Sequence, residues 1–337
     1  MRFLSSVIMS LLILLSSWVV HADNALVKRQ DVQRFIHQMV SQHHFDKNQL
    51  IAILKNAQYQ PQIIESMEKP YEKKTWDVYK NLFLKPERVQ AGIAFWQANQ
   101  KALDRAEREY GVPANIIVAI IGVETLYGKF QGNYRVLDAL TTLAFYYPKR
   151  SPYFTKELAE YLLLCREQQV PATHFTGSYA GAIGKPQFMP SSYRFYAVDF
   201  TGNGKRDLIN DDEDAIGSVA NYFHKHGWTL NSEVAQPAHI KGFAYQRIRT
   251  NTRSPSYGLQ HLMAAGIKPN SPIAGHPQRA GLIELTTPQG PEYWLAYPNF
   301  YVITRYNSSP QYALVVYLFA QQLHNQWASM HAQHTVG

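Results

Sequence analysis

Glu124 is the residue of this sequence best suited to acid–base chemistry, because of the segment that precedes it. Residues 114–122 carry no charge, and Asn115 is their only strongly polar side chain. A helix that is apolar all round is buried, and such a helix would bring the Glu124 carboxyl group into the protein interior. Desolvation raises the pKa of a carboxyl group, so that the group can hold a proton near neutral pH and donate it. The alternative is a glutamate in the last helical turn with its carboxylate in water.

Glycine and proline mark the boundaries of this helix. Gly111 suits the end of a preceding helix, and Pro113 suits the first turn of the next one. We therefore predict one long helix over residues 88–110, followed by a buried helix that begins after Pro113 and presents Glu124 at its far end.

Residues 176–192 form a second stretch whose residues could bind a ligand. Three glycines and two prolines exclude a regular helix there and indicate a shaped loop or ribbon, with small residues where a ligand approaches the backbone. Ser178 and Gln187 can donate and accept hydrogen bonds, as a sugar site requires. The alternative is an ordinary connection between two elements.

Residues 199–214 resemble the start of a calcium-binding EF-hand loop. Candidate oxygen ligands alternate along the chain: Asp199, Thr201, Asn203 and, through its carbonyl group, Lys205. Gly204 suits the sharp turn, but Asn210 stands where an EF-hand has a bidentate glutamate, and the acidic residues 211–214 follow. The alternative is a turn without metal, in which residues 211–214 cap the next helix and favour its dipole.

The composition indicates a globular protein with an anionic partner. Hydrophobic residues make up 46% and charged residues 17% of the 337 residues, which excludes a disordered chain. A formal net charge of +8 favours an anionic partner, and the 22 Tyr and 6 Trp are suited to stacking on sugars. Because no nucleic-acid-binding motif occurs, we expect a cell-wall polymer or a membrane surface as partner.

The first 22 residues predict a secretory signal peptide. Residues 3–20 are apolar and interrupted only by serine, and Val20-His21-Ala22 is typical of a cleavage site. We expect export with cleavage after Ala22; the alternative is an uncleaved membrane anchor. Cys165 is the only cysteine, so we expect neither an internal disulfide nor a lipidated amino-terminal cysteine.

The remaining chain reads as mainly helical. Helical spacing extends through residues 23–100 and 113–170, and a last helix runs from Pro310 to about residue 327. The β-prone segments are 240–248, 282–286 and 293–297.

Five motifs in order resemble the lytic murein transglycosylases of the MltB type. They are Gly122-Val123-Glu124-Thr125, the stretch 178–193, Ala197-Val198-Asp199-Phe200, the segment 214–223 and the segment 297–307. The resemblance covers roughly residues 30–325, and its specificity comes from all five motifs together.

The resemblance implies a mainly α (α+β) fold with a lysozyme-like helical core related to goose lysozyme. The implied parts are a signal peptide at 1–22, an α domain from 23–100 and 310–330, a catalytic core at 101–230 that contains the loop 199–214, and a small antiparallel β domain at 231–309.

The resemblance also implies the site residues. Glu124 matches the sole acid and base of the family. The implied sugar contacts are Ser178, Gln187, Tyr222, Tyr306 and Tyr312. The family's calcium loop closes at a residue matched by Asp214; here the loop is one residue longer than usual and Asn203 adds no charge. Lys185-Pro186 stands in place of a more usual small or aromatic pair.

We therefore predict a periplasmic enzyme that cleaves the MurNAc–GlcNAc β-1,4 bond without water and leaves a 1,6-anhydro-MurNAc end. Glu124 acts first as acid and then as base, no cofactor takes part in catalysis, and calcium is structural. We expect a monomer that binds peptidoglycan strands and no nucleic acid, with other cell-wall enzymes left open as partners. Two alternatives remain: a lysozyme-type peptidoglycan hydrolase that uses water, and a non-catalytic wall-binding protein.

Overall fold

The structure is a computed structural model of the chain and describes residues 25–69 and 74–334. The predicted signal peptide, residues 1–22, lies outside the described residues. Contacts along the chain define two compact units. Of the described residues, the first unit contains 25–69, 132–183 and 188–194, and the second contains 74–131, 184–187 and 195–334.

Helices predominate in the described residues. In chain order they are α1 (Gln30–His43), α2 (Lys47–Lys55), α3 (Pro61–Glu68), α4 (Trp76–Phe83), α5 (Pro86–Ala98), α6 (Gln100–Tyr110), α7 (Ala114–Thr125), α8 (Val136–Tyr146), α9 (Ser151–Glu167), α10 (Pro190–Tyr196), α11 (Asp212–Lys225), α12 (Leu259–Ala264), α13 (Pro298–Tyr306) and α14 (Pro310–His334).

The strands are short and antiparallel. They are β1 (Tyr134–Arg135), β2 (Thr176–Gly177), β3 (Ala235–Ile240), β4 (Tyr257–Gly258), β5 (Ile267–Pro269), β6 (Arg279–Thr287) and β7 (Gly290–Ala296). β1 pairs with β2, and the other five form a sheet in the order β4-β6-β7-β3-β5. The prediction of a mainly α fold with a small antiparallel sheet is thus confirmed.

The first unit is built around the helices α8 and α9, which pack against each other. α8 is apolar and almost wholly buried, yet it contains Asp138, which is 2% exposed. One Asp138 oxygen accepts a hydrogen bond from the backbone N–H of Gln58 at 2.9 Å. Burial raises the pKa of the Asp138 carboxyl, against this hydrogen bond and the charge of Arg135.

The core of the second unit is α7, which packs against α5, α6, α11 and α14. Residues 117–121 of α7 are fully buried, as expected for a helix without a polar face. A β-carbon at Gly122 would overlap the Tyr127 hydroxyl group, so glycine permits this close packing. The helix ends where Leu126 and Tyr127 adopt left-handed backbone conformations, with φ of 49° and 59°.

Two local predictions are wrong. The helix expected over 88–110 is divided at Asn99, whose backbone leaves the helical region at φ −116° and ψ 19°. Its side-chain amide and its own backbone N–H both donate to the Phe95 carbonyl oxygen, at 3.0 and 3.1 Å. The strand expected over 240–248 ends at Ile240, because Gly242 has a φ of 76° and residues 244–247 form a 3-10 turn.

The compact units also cut across the predicted domain boundaries. Residues 132–183, expected within the catalytic core, group with residues 25–69 in the first unit. The five-stranded sheet spans residues 235–296, inside the segment for which a small β domain is expected. The domain scheme itself stays a prediction.

Candidate functional site

Glu124 lies in the last turn of α7, where the buried helix reaches the edge of the core. Its neighbours Val123 and Thr125 are buried, whereas Glu124 itself is half-buried. The hydroxyl group of Tyr312 donates a hydrogen bond to Glu124 Oε1 at 2.5 Å. Tyr312 stands in the first turn of α14 and is 3% exposed, so packing fixes this donor against the carboxylate.

Tyr306 and Tyr312 are both held in the protonated form. Burial, followed by the charge of Glu124, raises the pKa of Tyr312 well above its ordinary value. The same two causes, in the same order, raise the pKa of Tyr306. Each phenol therefore keeps its proton, and can donate a hydrogen bond, throughout the pH range in which Glu124 exchanges a proton.

Tyr222 and Tyr306 form an aromatic pair in the second unit. Their ring centroids lie 4.9 Å apart in an edge-on arrangement. The Tyr222 hydroxyl donates to the Arg305 carbonyl oxygen at 2.6 Å, and the Tyr306 hydroxyl donates to the Pro186 carbonyl oxygen at 2.5 Å. The pair thus anchors the end of α13 and the segment 184–187.

Gln187 belongs to the same segment and has a strained backbone, with a φ of 50°. Its side-chain nitrogen donates to the carbonyl oxygens of Gln131, at 3.1 Å, and Gly184, at 2.9 Å. A non-glycine residue in the left-handed region costs free energy and persists where its surroundings determine it. These contacts hold the Gln187 carboxamide in one orientation.

Thr125 fixes the chain directly after Glu124, a role that sequence reasoning missed. Its hydroxyl donates to the Lys185 carbonyl oxygen at 2.8 Å and accepts from the Gly128 N–H at 2.9 Å. The sequence carried a signal for this, because a threonine follows the candidate acid directly. The structure thereby joins the end of α7 to the segment 184–187.

Ser178 lies in the first unit, unlike the other predicted site residues. Its hydroxyl accepts a hydrogen bond from the Ala182 N–H at 3.1 Å, and its carbonyl oxygen accepts from the Gly181 N–H at 2.9 Å. These bonds shape the turn 178–182. The contact of Ser178 with a sugar stays a prediction.

The loop 199–214 folds around two carboxylates. Asp199 accepts hydrogen bonds from the backbone N–H groups of Gly202, Asn203 and Gly204. Asp214 is fully buried and accepts from the N–H groups of Phe200 and Asp207, at 2.7 and 2.8 Å. Desolvation raises the pKa of the Asp214 carboxyl and outweighs these bonds, whereas at Asp199 the backbone bonds outweigh desolvation and lower the pKa.

The oxygen atoms of this loop fit a calcium ion in part. Thr201 Oγ1 lies 3.3 Å from Asp199 Oδ1 and 3.5 Å from Asp214 Oδ1. Ca²⁺ binds oxygen at 2.3–2.6 Å, which places neighbouring ligand oxygens roughly 3–3.7 Å apart. Asn203 Oδ1 instead accepts from the Lys205 N–H at 2.9 Å. Within residues 25–69 and 74–334, no three His, Cys, Asp or Glu side chains converge as a metal site.

Comparisons with known proteins find matches over most of the chain. A family model described as the transglycosylase SLT domain matches residues 27–321. The membrane-bound lytic murein transglycosylase B of Escherichia coli K12 is 44% identical over 301 residues, which are 86% of this chain and 82% of that protein.

Two solved structures are similar in fold. The Escherichia coli lytic transglycosylase Slt35 in complex with calcium has a TM-score of 0.80 and 43% identity, over 88% of this chain and 93% of that one. SltB3 from Pseudomonas aeruginosa in complex with NAG-anhNAM-pentapeptide has a TM-score of 0.74 and 30% identity, over 86% of this chain and 77% of that one.

Proposed function

The chain belongs to the transglycosylase SLT domain family and is a lytic murein transglycosylase, and from that premise we propose how its residues act. The bond cleaved is the β-1,4 bond between MurNAc and GlcNAc in peptidoglycan, and the product ends in 1,6-anhydro-MurNAc. The observation that carries this proposal is the carboxylate of Glu124, delivered by a buried helix and held by the Tyr312 hydroxyl.

In the first step Glu124 is the acid. Its proton passes to the glycosidic oxygen, the bond between this oxygen and C1 of MurNAc breaks, and GlcNAc leaves with a hydroxyl group. Ordinary glycosidases place a second carboxylate near C1. Here the N-acetyl oxygen of MurNAc itself stabilises the positive charge on C1, so one protein carboxylate suffices.

In the second step Glu124 is the base. Its carboxylate takes the proton of the MurNAc 6-hydroxyl, and the oxygen attacks C1 to close the 1,6-anhydro ring. Glu124 is thereby protonated again, and no water is consumed. Tyr312 supports both steps, because a hydrogen bond from a fixed donor keeps the carboxyl group in one orientation.

The sugar contacts that we propose are Ser178, Gln187, Tyr222, Tyr306 and Tyr312. Support comes from the second unit, where Tyr306 and Tyr312 both lie close enough to Glu124 for its charge to act on them. Gln187 stands one residue from the carbonyl group that Tyr306 holds. Aromatic rings and a fixed carboxamide together are typical of carbohydrate sites.

We also propose a structural calcium ion in the loop 199–214. Asp199, Thr201 and Asp214 would hold it, with Asn203 and the Lys205 carbonyl group completing the ligands as the loop adjusts. The spacing of the three oxygens supports this, as does the calcium complex of the similar Slt35 structure. The ion would neutralise the buried Asp214 carboxylate and stabilise the loop; it takes no part in bond cleavage.

The proposed location is the periplasm, with glycan strands as the partner and a monomer as the working form. The net charge of +8 supports attraction to an anionic wall polymer. In the part of the chain that the structure describes, no helix has the length and apolar character needed to cross a membrane.

Digestion of purified murein tests the proposed reaction. Mass spectrometry of the released muropeptides should find MurNAc ends that lack one water relative to reducing ends. Reducing MurNAc ends would indicate a hydrolase, and binding to murein without release would indicate a wall-binding protein.

A further inference from the structure

We infer that Lys185 is a positioning residue, which holds the segment 184–187 in register with the end of the Glu124 helix. This inference rests on the proposed function, since it concerns the same site. It assigns a role to a residue at which this sequence departs from the family pattern.

The side chain of Lys185 is buried and paired. Lys185 is 8% exposed, which is rare for lysine unless its charge has a partner. Its ammonium group donates to the Asn210 carbonyl oxygen at 3.0 Å and forms an ion pair with the Asp212 carboxylate. Asp212 opens α11 and also accepts a hydrogen bond from the Asn99 side chain at 3.4 Å.

The backbone N–H and carbonyl groups of Lys185 are both hydrogen-bonded. Its N–H donates to the Leu208 carbonyl oxygen, and its own carbonyl oxygen accepts from the Thr125 hydroxyl, both at 2.8 Å. Thr125 is the residue directly after Glu124. Lys185 thus joins three segments: the end of α7, the segment 207–212 and its own segment 184–187.

The stem of the side chain also packs at the left-handed turn after Glu124. A β-carbon at Gly128, where φ is 89°, would lie 3.1 Å from Lys185 Cε. The lysine stem therefore lies directly against Gly128. Loss of the ammonium group would remove the bonds to Asn210 and Asp212 that hold the end of this stem in place.

Displacement of Lys185 would move catalytic and binding groups at once. Its neighbour Pro186 accepts the Tyr306 hydrogen bond, and Gln187 follows. On the other side, Thr125 links it to Glu124. Small misplacements in an active site cost activity steeply. Loss of the Lys185–Asp212 ion pair should therefore lower turnover as well as stability.

The experiment compares Lys185→Met with Lys185→Arg in the full chain. Lys185→Met keeps a stem of similar length and removes the charge, whereas Lys185→Arg keeps a cation able to reach Asp212. For murein digestion at a temperature far below Tm, we expect Lys185→Met to lower kcat/KM by about 10–100-fold. Lys185→Arg should recover at least a third of the wild-type value.

Asp212→Asn provides the second arm. If the ion pair acts as a unit, the double variant Lys185→Met/Asp212→Asn loses no more activity than the worse single variant, since residues in one network are not additive. Lys101→Met, at an exposed lysine of α6, is the matched control and should keep wild-type activity.

Three results would overturn the inference. The first is that Lys185→Met keeps more than half of the wild-type kcat/KM. The second is that its loss of activity equals the fraction of unfolded protein measured by circular dichroism, and the third is that Lys185→Arg is as inactive as Lys185→Met. The proposed function would survive each of these, because wild-type enzyme would still release anhydro ends. If wild-type enzyme releases none, the proposed function fails instead.

Discussion

Replacing Tyr312 by phenylalanine removes one oxygen atom from the site and should remove most of its activity. The Tyr312 hydroxyl donates to Glu124 Oε1 at 2.5 Å from a buried ring. Phenylalanine fills the same space, so the packing of α14 against α7 is kept. The variant therefore tests the hydrogen bond and little else.

The magnitude follows from the type of bond. A hydrogen bond to a charged group contributes about 1.5–3 kcal/mol. If this bond orients the carboxyl group in the transition state, the loss corresponds to roughly a 10- to 150-fold fall in kcat. If Tyr312 only contacts the sugar in the ground state, KM rises and kcat is unchanged.

The same helix offers a matched control. Tyr317, also on α14, donates to the Glu233 carboxylate at 2.8 Å. Tyr317→Phe also removes a hydrogen bond from a tyrosine to a carboxylate. It should lower the free energy of unfolding about as much as Tyr312→Phe does, but keep activity within twofold of wild type. Release of anhydro-muropeptides over a range of murein concentrations gives kcat and KM for both variants.

Two results would refute this reasoning. If Tyr312→Phe keeps more than half of the wild-type kcat, the hydrogen bond does not orient Glu124 during the reaction. If Tyr317→Phe loses as much activity as Tyr312→Phe, the effect comes from a general weakening of α14.

Three further predictions concern the buried Asp138, the proposed calcium ion and a proposed sugar contact. Asp138→Asn should keep activity within about threefold, since the substrate N-acetyl group replaces a second carboxylate. Because burial raises the pKa of Asp138, the wild-type protein loses the stability that this group contributes as the pH rises through that pKa. In urea unfolding, the free energy of unfolding of Asp138→Asn relative to wild type should therefore increase with pH and then level off. Calcium at 100 times its Kd should raise Tm by roughly 5 °C over chelated protein, Asp199→Asn should abolish the rise, and an unchanged wild-type Tm would leave the metal-free turn. Gln187→Ala should raise KM for murein at least fivefold with a smaller change in kcat, and a fall in kcat alone would contradict a role in ground-state binding.

The residues around Glu124 illustrate what a sequence can predict. The uncharged run 114–122 predicts a buried helix, and α7 is buried because no face of it is polar. The position of Glu124 at its end follows from the same pattern. The break at Asn99 does not follow, because it lies in the backbone conformation of a single residue within a continuous helical pattern.

The network behind the site is harder to predict. Thr125, Lys185 and Asp212 come from separate stretches, and only the folded chain brings them together. The sequence does not predict burial of the Lys185 side chain, because burial of its charge requires a partner that is distant in sequence. Leu126 and Tyr127 likewise adopt left-handed conformations that the sequence does not predict, because only the residue after them, Gly128, is a glycine.

The most direct test of the account is the product of murein digestion by wild-type enzyme and by Glu124→Gln. Glutamine keeps the shape of the side chain but can neither deliver nor recover a proton. Since Glu124 acts in both steps, the loss should exceed the roughly 10²–10⁴-fold of a single acid–base step. Glu109→Gln, at an exposed glutamate paired with Arg105, is the matched control.

We expect 1,6-anhydro-MurNAc ends from wild-type enzyme and from Glu109→Gln, and none above background from Glu124→Gln, which should still bind murein and fold normally. Activity of Glu124→Gln above about a tenth of wild type, or wild-type products that carry reducing MurNAc with one added water, would contradict the proposed mechanism.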